Sequence, residues 1–322
     1  MYTLFLVFSG LTEKRFLSTN IQTFVNGLSA VSVFILFREQ SFYYSYIAVV
    51  LSYIITIGIE IFNKGLNISL EFHDLAFSMG YVILYIIYRK KGYLKREFTM
   101  LLFAVLMVFA AGKRIGLFAL LVTIMWWKCA SKLSKKKKKR FIFYSGICMI
   151  GICFLFIEFA IDSKILELSS AFSIELSGRN YYYAALQPYV EKGVSFLGLG
   201  RNAVQVIMTQ DFPWLHVGNV HSDIYRMYAE CGFILFGGWV IWYLIGIECA
   251  AIRKYGTYVG EFIFVLTCYT FIVYFTDNTE LYLMNQYFYV LTMLAFMNSQ
   301  ACYDIKKIND RTKENTIEEK ID

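Results

Sequence analysis

His221, Asp223, Arg226 and Glu230 fall in one stretch, NVHSDIYRMYAECG (Asn219–Gly232), directly ahead of the apolar run FILFGGWVIWYLIGIECAAI. A histidine titrates near neutral pH and suits general acid–base work. At a helix start it is biased toward the neutral, proton-accepting form, because the positive helix end disfavours added charge. The stretch reads as helix from about Ser222, with Ser222 or Asn219 as its cap. Arg226 and Glu230 then stand at i, i+4 and can pair on one face.

Three more arginines sit in short polar interruptions: Arg114 in AAGKRIG, Arg179 in LSGRNYYYAALQPYV and Arg201 in FLGLGRN. Guanidinium groups keep their charge and offer planar forks of donors that match phosphate oxygens. Pairing with Glu175, Glu191 or Asp211, or contact with lipid headgroups, is the alternative use for each. His73, with Glu71 and Asp74, opens another apolar run. The sequence carries no HExxH, no DxD, no GxSxG elbow and no phosphate-binding glycine–lysine loop. An anionic substrate would be handled by arginines, without metal or cofactor.

These residues must be positioned by helices that cross a membrane. Of the 322 residues 58% are hydrophobic, 19% aromatic and 17% charged, against about a quarter charged in a soluble domain. Apolar segments fall at about 21–37, 42–62, 68–88, 98–112, 114–130, 141–160, 233–252, 262–276 and 281–298. The start, 2–11, is too short to span, and is either a half-span or the remainder of a longer beginning. The expectation is an all-α, polytopic integral membrane protein with about 9–10 transmembrane helices and one large outer-face loop.

With both termini inside, most Lys and Arg residues fall on the cytoplasmic side, KKKKKR at 135–140 being the strongest anchor. The chain then divides into N-terminal helices (1–97), central helices (98–160), an extracytoplasmic loop carrying the site (161–232), C-terminal helices (233–298) and a charged tail (299–322). The seven cysteines form no CxxC pair and are odd in number, so they read as small packing residues.

In order and topology, roughly 98–298 resembles the O-antigen polymerase and ligase family, the Wzy polymerases and WaaL ligases. The resemblance rests on the arginine after the turn in AAGKRIGLFALL, on Ser177-Gly178-Arg179, and on the Gly198-Leu199-Gly200 turn. It continues through His221-Ser222 to Glu230-x-Gly232 and ends on Asp277-Asn278. Ser222 departs from the asparagine found in many members, and the chain is short at its N-terminus for the family.

The resemblance implies a metal-independent membrane glycosyltransferase of the bacterial inner membrane. It would act on the outer face on oligosaccharides linked to undecaprenyl pyrophosphate, with flippase and chain-length regulator proteins as partners and no nucleic acid. It assigns His221 as base and Arg179 and Arg114 to the pyrophosphate; Arg201, which follows the G-x-G turn outside the family pattern, and Arg226, Glu230 and Asp223 are further candidate substrate contacts. Tyr181, Tyr182, Tyr183 and Trp214 would stack on sugars or anchor at the interface. A polymerase is the first expectation and a ligase the second. A transporter of lipid-linked sugars is the third.

Overall fold

Long apolar runs with two prolines in the whole chain leave the backbone little choice but helix, which satisfies every amide internally. The computed structural model describes residues 25, 28–64, 73–89, 95–161, 178–193, 197–216 and 218–299, and among these there is no strand. In chain order the helices are α1 (Leu28–Phe37), α2 (Ser41–Lys64), α3 (His73–Tyr88), α4 (Lys95–Ala110), α5 (Arg114–Ser131) and α6 (Lys135–Ile161). They continue with α7 (Arg179–Gly193), α8 (Ala203–Gln210), α9 (Asp223–Ile241), α10 (Ile247–Tyr255), α11 (Thr257–Tyr274) and α12 (283–299). A π turn, Trp242–Gly246, joins α9 to α10 without interrupting the rod.

Four stretches are long and apolar enough to cross a membrane: Arg114–Ser131, Lys135–Ile161, Asp223–Tyr255 and Thr257–Tyr274. Helix α11 is the axis of the bundle. It is buried on every face, as expected of a helix that is hydrophobic all round. Aromatic rings lock it to its neighbours: Trp126 of α5 against Phe264 (4.7 Å), Trp239 of α9 stacked on Phe271 (5.1 Å), and Phe296 of α12 stacked on Phe262 (3.8 Å). Outward faces stay apolar, with Leu102, Leu106 and Phe109 exposed on α4 and Tyr144, Ile147 and Leu155 on α6. A soluble protein rarely leaves such contiguous apolar surface uncovered.

Several boundaries differ from the sequence expectation. KKKKKR forms the first turns of α6 rather than a loop before it, and Lys138 reaches back to Glu261 of α11 at 2.7 Å. That pairing lets α11 begin at Thr257, well before the apolar run at 262, because the acid in its first turns has a partner. The described part of 161–232 holds α7, α8 and the first turns of α9 joined by turns, and it buries an apolar cluster around Leu186, Val204 and Tyr225. Of the cysteines, Cys153, Cys231 and Cys268 are buried, whereas Cys129, Cys148 and Cys249 are exposed. The apolar start at 2–11, Glu71, Glu175, Ser177, Cys302 and the tail beyond 299 lie outside the described residues.

Candidate functional site

The stretch that carries His221 enters its helix through a cap. Ser222 is extended (φ −154°, ψ 112°), and its Oγ accepts the amide of Tyr225 at 3.2 Å. Of the two capping candidates it is Ser222, not Asn219, that takes the role. His221, one residue earlier, is left-handed at φ 50°, a backbone state that a non-glycine residue adopts at a cost. The turn swings the half-buried imidazole against the ring of Tyr182 from α7, with centroids 5.6 Å apart.

Beneath this turn lies a buried ion cluster. Arg226 donates to Asp223 Oδ1 from Nη2 (2.8 Å) and Nε (3.3 Å), to Glu230 at 3.3 Å, and to Glu280. Arg201 donates to Glu230 at 3.2 Å and to Glu280 at 3.1 Å. Asp223 Oδ2 accepts the backbone amide of Glu280 at 2.7 Å. All five residues are between 0% and 4% exposed. Burial pushes the Glu280 carboxyl up, but the guanidiniums of Arg201 and Arg226 outweigh it and hold the group down to about 2. Two cations are shared among three acids, and the Arg226 guanidinium bonds to all three.

A second device ties this cluster to the chain ahead of it. Gly232 leaves helical geometry (φ 72°, ψ 176°), so the expected unbroken run into the following span is interrupted there. The carbonyls of Ala229 and Glu230 accept instead from the amides of Leu199 and Gly200, both at 2.9 Å. Gly198 sits at φ 73°, where an added Cβ would meet Gly232 N and the Glu230 carbonyl oxygen. The G-x-G turn is thus a close backbone clasp on a broken helix. Gly198→Ala is expected to destabilise by about 1–3 kcal/mol through strain and overpacking, read as a lowered melting midpoint in detergent.

The hub that gathers the remaining residues is the connection between α11 and α12. Arg179 Nη2 donates to the Thr276 carbonyl at 2.7 Å, and the amide of Asp223 donates to the Asp277 carbonyl at 3.1 Å. Lys113 Nζ donates to Asp277 Oδ2 at 3.1 Å. Asp277 Oδ1 accepts from the Asn278 amide (2.8 Å) and the Tyr282 hydroxyl (3.2 Å). Asn278 Oδ1 and Thr276 Oγ1 are buried here with no hydrogen-bond partner among the described residues, a capacity that usually serves something.

The structure therefore sets His221 against Tyr182 of α7, the helix that Arg179 begins, and it places the other expected residues differently. Arg114 is exposed at the first position of α5. Lys113, extended at ψ 91° ahead of that helix, is the residue of the turn that reaches the hub. Arg201, Arg226, Asp223 and Glu230, expected among the substrate contacts, have their charged atoms turned to one another below the surface. Among the described residues Asp211 pairs with no arginine, and it accepts the Tyr189 hydroxyl at 2.7 Å.

Sequence reasoning missed Lys113, Glu280 and Tyr282. The signal for Glu280 was a second acid in DNTE, between two apolar runs. Asp223, Glu230 and Glu280 are committed to guanidiniums, and among the described residues no His, Cys, Asp and Glu cluster suits a metal. Comparison with known protein families and with curated proteins finds no match to this chain.

Proposed function

We propose that the chain is a membrane-embedded polysaccharide polymerase, which joins oligosaccharide repeat units carried on undecaprenyl pyrophosphate at the outer face of the bacterial inner membrane. The observation that carries this reading is convergence. Arg179 and Tyr182 of α7, His221 ahead of α9 and Lys113 ahead of α5 come from three separate segments; Arg179 and Lys113 bond to residues 276 and 277, and His221 lies against Tyr182. An imidazole takes the proton from the attacking sugar hydroxyl. The nearby Arg179 guanidinium and Lys113 ammonium stabilise the charge that grows on the departing diphosphate. Tyr182 supports the imidazole and offers a ring face to a sugar. The apolar outer surfaces of α4 and α6 suit a donor that arrives through the lipid phase.

The test is His221→Ala and Arg179→Ala in the native host, with membrane levels verified and extracted glycans separated on a gel. Loss of the long ladder, with single repeat units still reaching their final acceptor, is the result expected of a polymerase. Long chains stranded on the lipid carrier would assign a ligase instead, and an unchanged ladder from both variants would remove the mechanism. Lys113→Ala is expected to reduce transfer by about 10²-fold, and Arg114→Ala by much less, when both are assayed on purified protein.

A further inference from the structure

The first turns of α6 hold more positive charge than the fold pairs. Lysine or arginine fills eight of the thirteen positions from Lys128 to Arg140, a stretch with no acid. Five lysines in a row begin the helix, at the end where its dipole opposes added positive charge. Lys135 with Lys139, and Lys136 with Arg140, also repel at i, i+4. Among the described residues the run forms one ion pair, Lys138 with Glu261. The tail beyond 299 brings six acids but also five bases, so it has little net charge to offer. A run this costly to its own helix calls for an anion from outside the chain.

A second observation is what lies below the charges. Lys136, Arg140, Tyr144, Ile147 and Gly151 are all exposed, and their spacings of four, four, three and four put them on one face of α6. The cations lead directly into an apolar stripe, with a tyrosine where the two meet, as at a membrane boundary. From Arg140 to Gly151 the helix rises roughly 16 Å, which matches one leaflet of a ~30 Å hydrocarbon core. An added Cβ at Gly151 would touch nothing, so the stripe ends in an open notch. The neighbouring helix steadies this face. Trp126 of α5 stacks on Phe141 at 5.2 Å and donates to Ser145 at 2.9 Å, which holds the end of α5, with Lys128, beside the α6 charges. Helix α6 meets α7 near its other end, where Phe156 packs against Tyr183, so the basic face lies away from His221.

We propose that this face of α6 binds an anionic phospholipid, its phosphate held between Lys136 and Arg140 and one acyl chain laid along Tyr144, Ile147 and Gly151. Basic clusters at the end of a membrane-crossing helix attract such headgroups. A soluble polyanion would use the charges and leave the apolar stripe without a role. The inference is independent of the reaction at the His221 end.

The test uses the purified full-length chain in nanodiscs of phosphatidylcholine, alone or with phosphatidylglycerol, and reads the melting midpoint and, by native mass spectrometry, the lipid retained. Wild type is expected to melt higher with phosphatidylglycerol, and to retain it at least tenfold better than phosphatidylcholine. Lys136→Gln/Arg140→Gln relieves a repulsion, so it should melt no lower than wild type in phosphatidylcholine alone. It should nevertheless lose the rise given by phosphatidylglycerol and bind that lipid roughly 25-fold more weakly, about fivefold for each charge. Gly151→Phe fills the notch, leaves every charge in place and is expected to weaken retention severalfold. Equal retention of the two lipids, or an unchanged rise in the double variant, would overturn the site. So would an equal loss in Lys306→Gln/Lys307→Gln, which would reduce the effect to net charge. Tighter binding of a single-stranded oligonucleotide than of phosphatidylglycerol would give the face to nucleic acid instead. Wild-type retention in Gly151→Phe would overturn the path of the acyl chain.

Discussion

Replacing Glu280 by alanine is expected to cost about 3–5 kcal/mol of stability, the range for removing one partner from a buried ion pair. The loss should be that large because Glu280 serves both Arg201 and Arg226, and both guanidiniums lie where water cannot take its place. The readout is the melting midpoint in detergent. Glu280→Gln adds a signature that simple loss of packing lacks. The folded carboxyl is held at about 2 against an ordinary 4.5, so its ionisation stabilises the fold fully above pH 4.5 and the contribution is lost as pH falls through about 2. The gap between wild type and Glu280→Gln should therefore be widest near neutral pH and close on acidification. A gap of constant width would remove the assigned charge from the cluster.

His221→Ala is the second large effect, on rate rather than stability. If the imidazole is the general base, its removal should lower turnover by about 10²–10⁴-fold, the usual contribution of a positioned acid–base group. Stability should change little, since His221 is half-buried and precedes the Ser222 cap that starts the helix. Losing a left-handed non-glycine residue is a separate matter, so His221→Asn is the informative companion. Asparagine tolerates that backbone state but is no base at neutral pH. Activity lost in both variants assigns the effect to the imidazole, whereas activity retained in His221→Asn would make the turn itself the requirement.

What could be read from the chain without its fold follows the range of each interaction. The Ser222 cap and the Arg226–Glu230 pair are local, three or four residues apart, and periodicity states them directly. The Gly198-Leu199-Gly200 turn was visible as a motif, but its partner was not, because nothing in the spacing links it to the helix break at Gly232. Glu280 was missed for the same reason. It meets Arg226 and Arg201 from 54 and 79 positions away, and a lone acid beside an apolar run carries no label for its cation. That Lys113 rather than Arg114 reaches Asp277 has a backbone cause. The helix begins at Arg114, so the extended residue before it, not the first helical one, points toward Asp277. The contact of Tyr182 with His221 and the bond from Arg179 to the Thr276 carbonyl span 39 and 97 positions, separations that carry no signal in the sequence.

The ion cluster also sets an order of birth. Arg201 and Arg226 leave the ribosome well before Glu280, the acid they share, has been made. Until the α11–α12 connection arrives, Arg226 on α9 and Arg201 ahead of α8 have only Asp223 and Glu230 to pair with. The cluster can therefore close only when the chain is almost complete.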